Sequence, residues 1–253
     1  MYATERHERI LNEARTAGRV EVSAIATTLG VTTETVRRDL RVLEQRGAVR
    51  RVHGGAIPIE RFTPESAVDV RAGRLTSQKR AIAARALDEI PVGGTIVLDA
   101  GTTTQALVEL LPRETKLSVV TNSVSAAAAL STFPNVDLFV VGGRVRRLTG
   151  ATVGQWTTNA LATVSADVAF LGTNGFSVRH GMSTPDQAEA TSKQAMIDCA
   201  RRVVVVADSS KYGADQFHSF APLHRVDVLI SDRGLASDAA TELADAGPEV
   251  VLA

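Results

Sequence analysis

From residue 95 onward one unit recurs along the chain: a short apolar run, a turn rich in Gly, Thr, Asn, Ser or Asp, and in most cases a helical stretch. The runs fall at 95–99, 118–120, 137–141, 168–171, 203–207 and 228–230, and they are apolar at almost every position instead of alternating with polar residues. An alternating strand buries one face, whereas a continuously apolar one is covered on both. Strand, turn and helix in repeated succession predict a Rossmann-like α/β domain with a mostly parallel sheet between helices. In such a sheet the loops leaving the strand C-termini converge on one crevice, where a ligand would sit.

The N-terminal segment has a different pattern. Ile10, Leu11 and Ala14 recur at helical spacing, and Gly18 is placed to end that helix. After a short extended link at Val20, residues 23–29 read as a second helix stopped by Gly30. A third opens at Thr32 or Thr33, sets Val36, Leu40 and Leu43 in one buried stripe, and closes at Gly47. The β-prone runs 49–53 and 54–57, around Gly54 and Gly55, read as a hairpin. Three helices and a β-wing make a winged helix-turn-helix, expected over residues 3–58. Polar, unpatterned residues 59–77 are expected to be a linker, and 78–253 the α/β domain.

A net charge of zero argues against a nucleic-acid partner, because DNA affinity comes largely from neutralised phosphates. The distribution argues the other way. Residues 1–57 carry ten arginines against seven acids, a net +3 balanced by −3 in the remainder. On the third helix Thr33, Arg37 and Arg41 share one side, with Thr35 and Arg38 beside them and Thr32 at its start. Hydroxyls and amides at a helix start hold phosphates, and arginine contacts guanine O6 and N7 in the major groove. Arg50, Arg51 and His53 on the wing would reach phosphates or the minor groove. Taken alone, the arginines would equally suit the solvated face of an ordinary helical hairpin.

This order of elements resembles the DeoR family of bacterial repressors. The residues that carry the resemblance are Arg6-x-x-x-Ile10, Thr35-Val36-Arg37-Arg38-Asp39-Leu40 and Arg51-Val52-His53-Gly54-Gly55-Ala56. It implies double-stranded operator DNA as partner, and a structural Asp39 paired with an arginine.

In the α/β domain, Asp99-Ala100-Gly101-Thr102-Thr103-Thr104 puts a close backbone turn, three hydroxyls and a helix start at a strand end, which is a phosphate-cradle pattern. The threonines would also serve as plain helix caps. No Gly-Lys-Ser/Thr follows and the three-glycine dinucleotide pattern is absent, so a small phosphorylated ligand fits better than ATP or NAD. Polar clusters at other strand ends are Thr121-Asn122-Ser123, Gly142-Gly143, Gly172-Thr173-Asn174-Gly175 and Asp208-Ser209-Ser210-Lys211. Glu189 and Lys193, four apart on a helix, suit either a surface ion pair or the pocket. Trp156, with the flanking Gly154 and the apolar-rich Ala160–Val164, suits an interface or plain core packing, and core packing is the expectation.

Here too the chain resembles the DeoR family, whose sensor domain is similar in fold to ribose-5-phosphate isomerase. The matches run Asp99-x-Gly101-Thr102-Thr103, Thr121-Asn122, Gly142-Gly143, Glu189-x-x-x-Lys193-x-x-Met196 and Asp208-x-Ser210-Lys211. The resemblance implies a phosphosugar effector, its phosphate at Gly101 to Thr104, its hydroxyls at Asp99 and Asn122, and a charged contact from Lys193 or Lys211. Where many members have Gly-Ala-Asp-Gly, this chain has Asn174, and an amide cannot act as the carboxylate base an isomerase needs. The expectation is therefore a repressor of a sugar transport or catabolism operon, relieved by a phosphosugar. No catalytic residue, cofactor or metal is expected; the single Cys199 can form neither an internal disulfide nor a zinc site. The alternatives are an activator, or an isomerase using Asp99, Glu189 or Asp208 as base. The absence of a long apolar stretch or signal-peptide start predicts a cytoplasmic protein without a membrane partner. Weak binding by one modestly charged head predicts a homo-oligomer, a dimer or tetramer.

Overall fold

The computed structural model describes residues 3–17, 19–45, 48–52, 54–58 and 67–253. The chain divides into two compact units, Met1–Pro64 and Glu65–Ala253. Gly18, Gly47 and His53 lie outside the described residues.

In the first unit α1 (Ala3–Ala17), β1 (Val20–Glu21), α2 (Val22–Leu29), α3 (Thr33–Gln45), β2 (Val49–Val52) and β3 (Gly55–Pro58) follow in order. The apolar stripe forms as the spacing predicts: Val36, Leu40 and Leu43 of α3 pack with Ile10, Ala14, Ile25 and Leu29. Gly30 adopts the left-handed conformation (φ 63°) that terminates α2, its N–H donating to Ala26 O. The Thr35 amide donates to Thr32 Oγ1 at 3.2 Å, so Thr32 caps α3. The wing hairpin is extended by β1 into an antiparallel sheet of order β1-β3-β2. Only glycine permits this at position 55, since a Cβ there would lie 1.9 Å from Val20 O.

The second unit begins earlier than expected. Residues 67–77 are not linker: α4 (Val68–Ala72) and the first turn of α5 (Thr76–Ala86) occupy them. The Val68 amide donates to Leu148 O at 2.9 Å, and the Lys79 ammonium donates to Arg71 O and to Arg74 O. The Leu148 anchor is tertiary and the Lys79 anchors are local, and no periodicity announces either. The helix read as 79–90 starts at Thr76 and gives way to a 3₁₀ turn over Leu87–Glu89.

The elements that follow are β4 (Thr95–Leu98), α6 (Thr102–Leu110), β5 (Leu117–Thr121), α7 (Val124–Leu130), β6 (Val136–Val140), β7 (Arg144–Arg146), β8 (Ala151–Val153), α8 (Gln155–Leu161), β9 (Ala166–Gly172), β10 (Gly175–Ser177), β11 (Gly181–Thr184), α9 (Gln187–Asp198), β12 (Ala200–Val206), β13 (His218–Ala221), β14 (Val228–Ser231), α10 (Ser237–Asp245) and β15 (Glu249–Leu252). Seven strands form one parallel sheet in the order β15-β14-β12-β9-β4-β5-β6. Both faces are buried: Ile96 and Leu98 join one apolar layer with Ile82 and Leu107, while Val97 between them joins the other with Leu171 and Met196. The order of connection reverses between β4 and β9, the position at which α/β sheets open a crevice.

The hairpin β7-β8 and the antiparallel sheet β10-β11-β13 were not apparent in the sequence. At the sheet edge, β6 leaves Phe139 and Val140 about half exposed, with Asp137 exposed on the Phe139 face. Trp156 is 79% exposed, against expectation. Thr157 and Leu161 take the inward positions of α8, which turns Trp156 outward. Among the described residues no helix is long and apolar enough to cross a membrane, and no group of His, Cys, Asp and Glu is placed to hold a metal.

Candidate functional site

Two regions gather the residues singled out in the sequence. The first is the outer face of α3. Thr32, Thr33, Arg37, Arg38 and Arg41 are exposed there and Thr35 is half-buried. Arg37 makes only a loose, exposed pair with Glu34 at 3.7 Å. Among the described residues neither Arg38 nor Arg41 has an ion-pair partner. On the wing Arg50 and Arg51 are exposed, and the Arg51 amide donates to Glu44 Oε1 at 2.9 Å, tying β2 to α3.

Asp39 is the buried exception on α3. Arg6 Nε donates to its Oδ2 at 2.8 Å, Arg6 Nη2 to its Oδ1 at 3.0 Å, and His7 Nε2 lies 3.1 Å from Oδ1. Burial alone would raise the Asp39 carboxyl, but the hydrogen bonds from Arg6 and His7 outweigh it and hold the group below its usual range. Asp39 thus fastens α3 to α1, the structural role that the resemblance implied.

The second region is the switch point between β4 and β9. Asp99 follows β4 and is buried; its Oδ2 accepts from the Gly172 amide at 3.0 Å and from the Lys193 ammonium, which also donates to Gly172 O at 2.9 Å. Burial pushes the Asp99 carboxyl up, against the pull of Lys193 and of the Gly172 amide. Lys193 and Glu189 are not a surface pair. Both are buried, and Glu189 instead accepts from the Thr149 hydroxyl and from Arg146 Nη1 at 3.2 Å. Arg146 also pairs with Asp186, the N-cap of α9, at 3.0 Å.

The remaining residues divide by what their hydrogen bonds hold. Thr104 donates to Gly101 O at 3.0 Å and Thr121 to Leu98 O at 2.7 Å, while Ser123 accepts from the Ala126 amide at 3.2 Å as the N-cap of α7. Asn122 is bound at both ends, accepting from the Ala100 amide and donating to Thr152 O, each at 3.1 Å. Gly142 O accepts from Thr157, and a Cβ at Gly143 would lie 2.3 Å from the Thr157 hydroxyl. Asn174 accepts from Thr184, whose hydroxyl also lies within hydrogen-bond distance of Glu189. Asp208 accepts from the Ser210 hydroxyl. Asp208 and Lys211 both act electrostatically on Lys79. Thr103 is buried.

Gly101 and Thr102, at the start of α6, line a cleft of about 420 Å³ with Thr76, Lys79, Arg80 and Gln105. Thr76, Lys79, Arg80 and Gln105 escaped the sequence reading. They lie on the helix read as starting at Lys79, or one turn into the next helix, and no turn chemistry marks them. Asp232 was missed as well, although Ser209 donates to it through both amide (2.7 Å) and hydroxyl (3.0 Å), fixing the loop after β12.

The chain matches two described domains: the DeoR-like helix-turn-helix domain over residues 6–62 and the DeoR C-terminal sensor domain over residues 75–233. It is 37% identical to the HTH-type transcriptional regulator GlpR of Haloferax volcanii, covering 99% of this chain and 98% of the relative. It is 33% identical to the HTH-type transcriptional repressor GlcR of Bacillus subtilis (97% and 94%) and 29% identical to the glycerol-3-phosphate regulon repressor of Escherichia coli (92% and 92%). Among solved structures, ribose 5-phosphate isomerase A from Neisseria gonorrhoeae aligns at 21% identity over 53% of this chain and 52% of that one, with a TM-score of 0.39.

Proposed function

Because the chain belongs to the DeoR family of transcriptional regulators, and is a regulator and not an enzyme, we propose that it represses a sugar transport or catabolism operon and is released from DNA by a phosphorylated sugar. The observation that carries the DNA-binding half is the outer face of α3, where Arg37, Arg38 and Arg41 stand exposed behind the capped start at Thr32. Thr32, Thr33 and Thr35 with the first amides of α3 hold a phosphate; the arginines enter the major groove; Arg50, Arg51 and His53 reach the flanking backbone or minor groove. Two relatives are named as repressors, one of them of a glycerol-3-phosphate regulon.

The effector occupies the crevice at the switch point. Gly101, Thr102 and Thr103 receive its phosphate, and Asp99, Lys193, Asp208 and Lys211 supply the charged and hydroxyl-binding contacts. Thr104, Thr121, Asn122, Ser123, Gly142 and Gly143 shape the loops around it, since their polar groups are spent on neighbouring backbone or, at Gly143, give way to Thr157. Asn174 sets the far wall through Thr184. The protein acts in the cytoplasm as a homo-oligomer, a dimer or tetramer, presenting at least two heads to spaced half-sites. Release requires that the effector bind one state more tightly than the other.

The test is fluorescence anisotropy on DNA from the gene's own upstream region at fixed salt, titrated with phosphosugars. Specific binding lost in Arg37→Ala and Arg38→Ala, and released by one phosphosugar in the wild type but not in Thr102→Ala, is the expected result. Binding indifferent to both arginines would refute the DNA interface. Release unchanged in Thr102→Ala would refute the effector site.

A further inference from the structure

α4 is five residues long, too short to hold itself in helical form, and no side chain caps its N-terminus. Its end is held from outside. The carbonyls of Arg71 and of Arg74, just past the helix, both accept from the ammonium of Lys79, a side chain only 6% exposed. An ammonium has three protons, and these two bonds use two of them. Lys79 also lines the cleft that Gly101 and Thr102 open into, beside Arg80 and Thr76 of the same helix. Val68 and Ala72 of α4 line the same cleft. Burial pulls the Lys79 ammonium below its usual range, with the charge of Asp208 opposing, so the cation is under-compensated where it sits.

We propose that Lys79 couples occupancy of the cleft to the order of α4, gripping the carbonyls of Arg71 in α4 and of Arg74 just past it with two protons and offering the third to an anion bound at Gly101 and Thr102. This rests on reading the start of α6 as an anion site. An anion that takes the third proton fixes the ammonium in place and so holds Lys79 in the position from which it grips the Arg71 and Arg74 carbonyls. By linkage, an ordered α4 strengthens the anion site in return. α4 is the first described element after residues 59–66.

Hydrogen exchange of the full-length protein, titrated with inorganic phosphate against chloride of equal ionic strength, separates the two claims. Phosphate is expected to slow exchange at 101–107, which reports the anion site. It is also expected to slow exchange at 68–74, by roughly five-fold or more, the scale of an ordinary coupling energy. Lys79→Met should abolish the response at 68–74 while 101–107 still responds at higher phosphate, and Lys79→Arg should restore part of it. Slowing at 101–107 with none at 68–74 in the wild type overturns the coupling and leaves the anion site standing. Slowing at neither removes the anion site, and the coupling with it. A response at 68–74 that survives Lys79→Met assigns the coupling to another residue and overturns the proposal.

Discussion

Replacing Lys193 with methionine keeps the length and packing of the side chain and removes the ammonium beside Asp99. Both groups are almost wholly buried, Lys193 at 4% and Asp99 at 3% exposure, so solvent compensates little for the lost partner. Asp99 would keep only the Gly172 amide. Leaving one member of a buried pair uncompensated costs about 3–5 kcal/mol. Loss of the 2.9 Å bond to Gly172 O falls within that range. Asp99→Asn combined with Lys193→Met removes the uncompensated charge, so the double variant should be more stable than Lys193→Met alone, with a coupling energy of about 2 kcal/mol or more. The pH dependence has a definite sign. Asp99 already has its folded pKa raised by burial, and without Lys193 it rises further, so the folded state of Lys193→Met binds a proton that the unfolded chain releases. Its deficit is then largest well above the ordinary carboxylate range and shrinks as pH falls. Urea unfolding followed by far-UV circular dichroism, with exchange of the β9 amides to assign the transition to the sensor domain, measures all three quantities. A Lys193→Met deficit under about 1 kcal/mol, or a double variant no more stable than the single one, would refute the account of the pair.

In the DNA-binding unit, Asp39→Asn should destabilise α1 against α3 by about 2–3 kcal/mol through the loss of charge-assisted bonds to Arg6 and His7, read as faster exchange in both helices while the sensor domain is unchanged. Because the Asp39 pKa is depressed on folding, its contribution is present above the unfolded value of about 4 and is lost as pH falls through the folded one, so wild type and Asp39→Asn should converge in acid. Gly55→Ala drives a Cβ against Val20 O and should detach β1 from the wing, at a cost above about 2 kcal/mol; stability within a few tenths of wild type would contradict the register of that sheet.

The parallel sheet was legible because Ile96, Val97 and Leu98 are apolar in succession, and the structure buries them in two different layers. The helix-turn-helix was legible because Gly30 and the Val36, Leu40, Leu43 stripe act locally. What escaped was set by distance along the chain. α4 depends on Leu148, and β11 on a partner strand at His218–Ala221, and short segments with remote anchors carry little pattern of their own. The same applies within the site. Asp99 and Lys193 were each singled out, but 94 residues separate them, and no spacing rule joins groups that meet only through the order of strands. Core packing was the wrong choice for Trp156, because Thr157 and Leu161 take the inward positions of α8 and leave the indole on the surface.

The outermost strand of the sheet has its own consequence. Among the described residues β6 is paired on one side only, by β5, and it offers solvent a half-exposed Phe139 and Val140 beside an open row of amides and carbonyls. Such an edge is a template on which a second strand can grow, and strands that grow on templates do not stop at two. Asp137 shares a face with Phe139, so any apolar surface that settled on the phenyl ring would trap a carboxylate with it. One acidic residue in an otherwise apolar strand thus stands where gatekeeper residues stand, opposing edge-to-edge stacking by the charge it would bury.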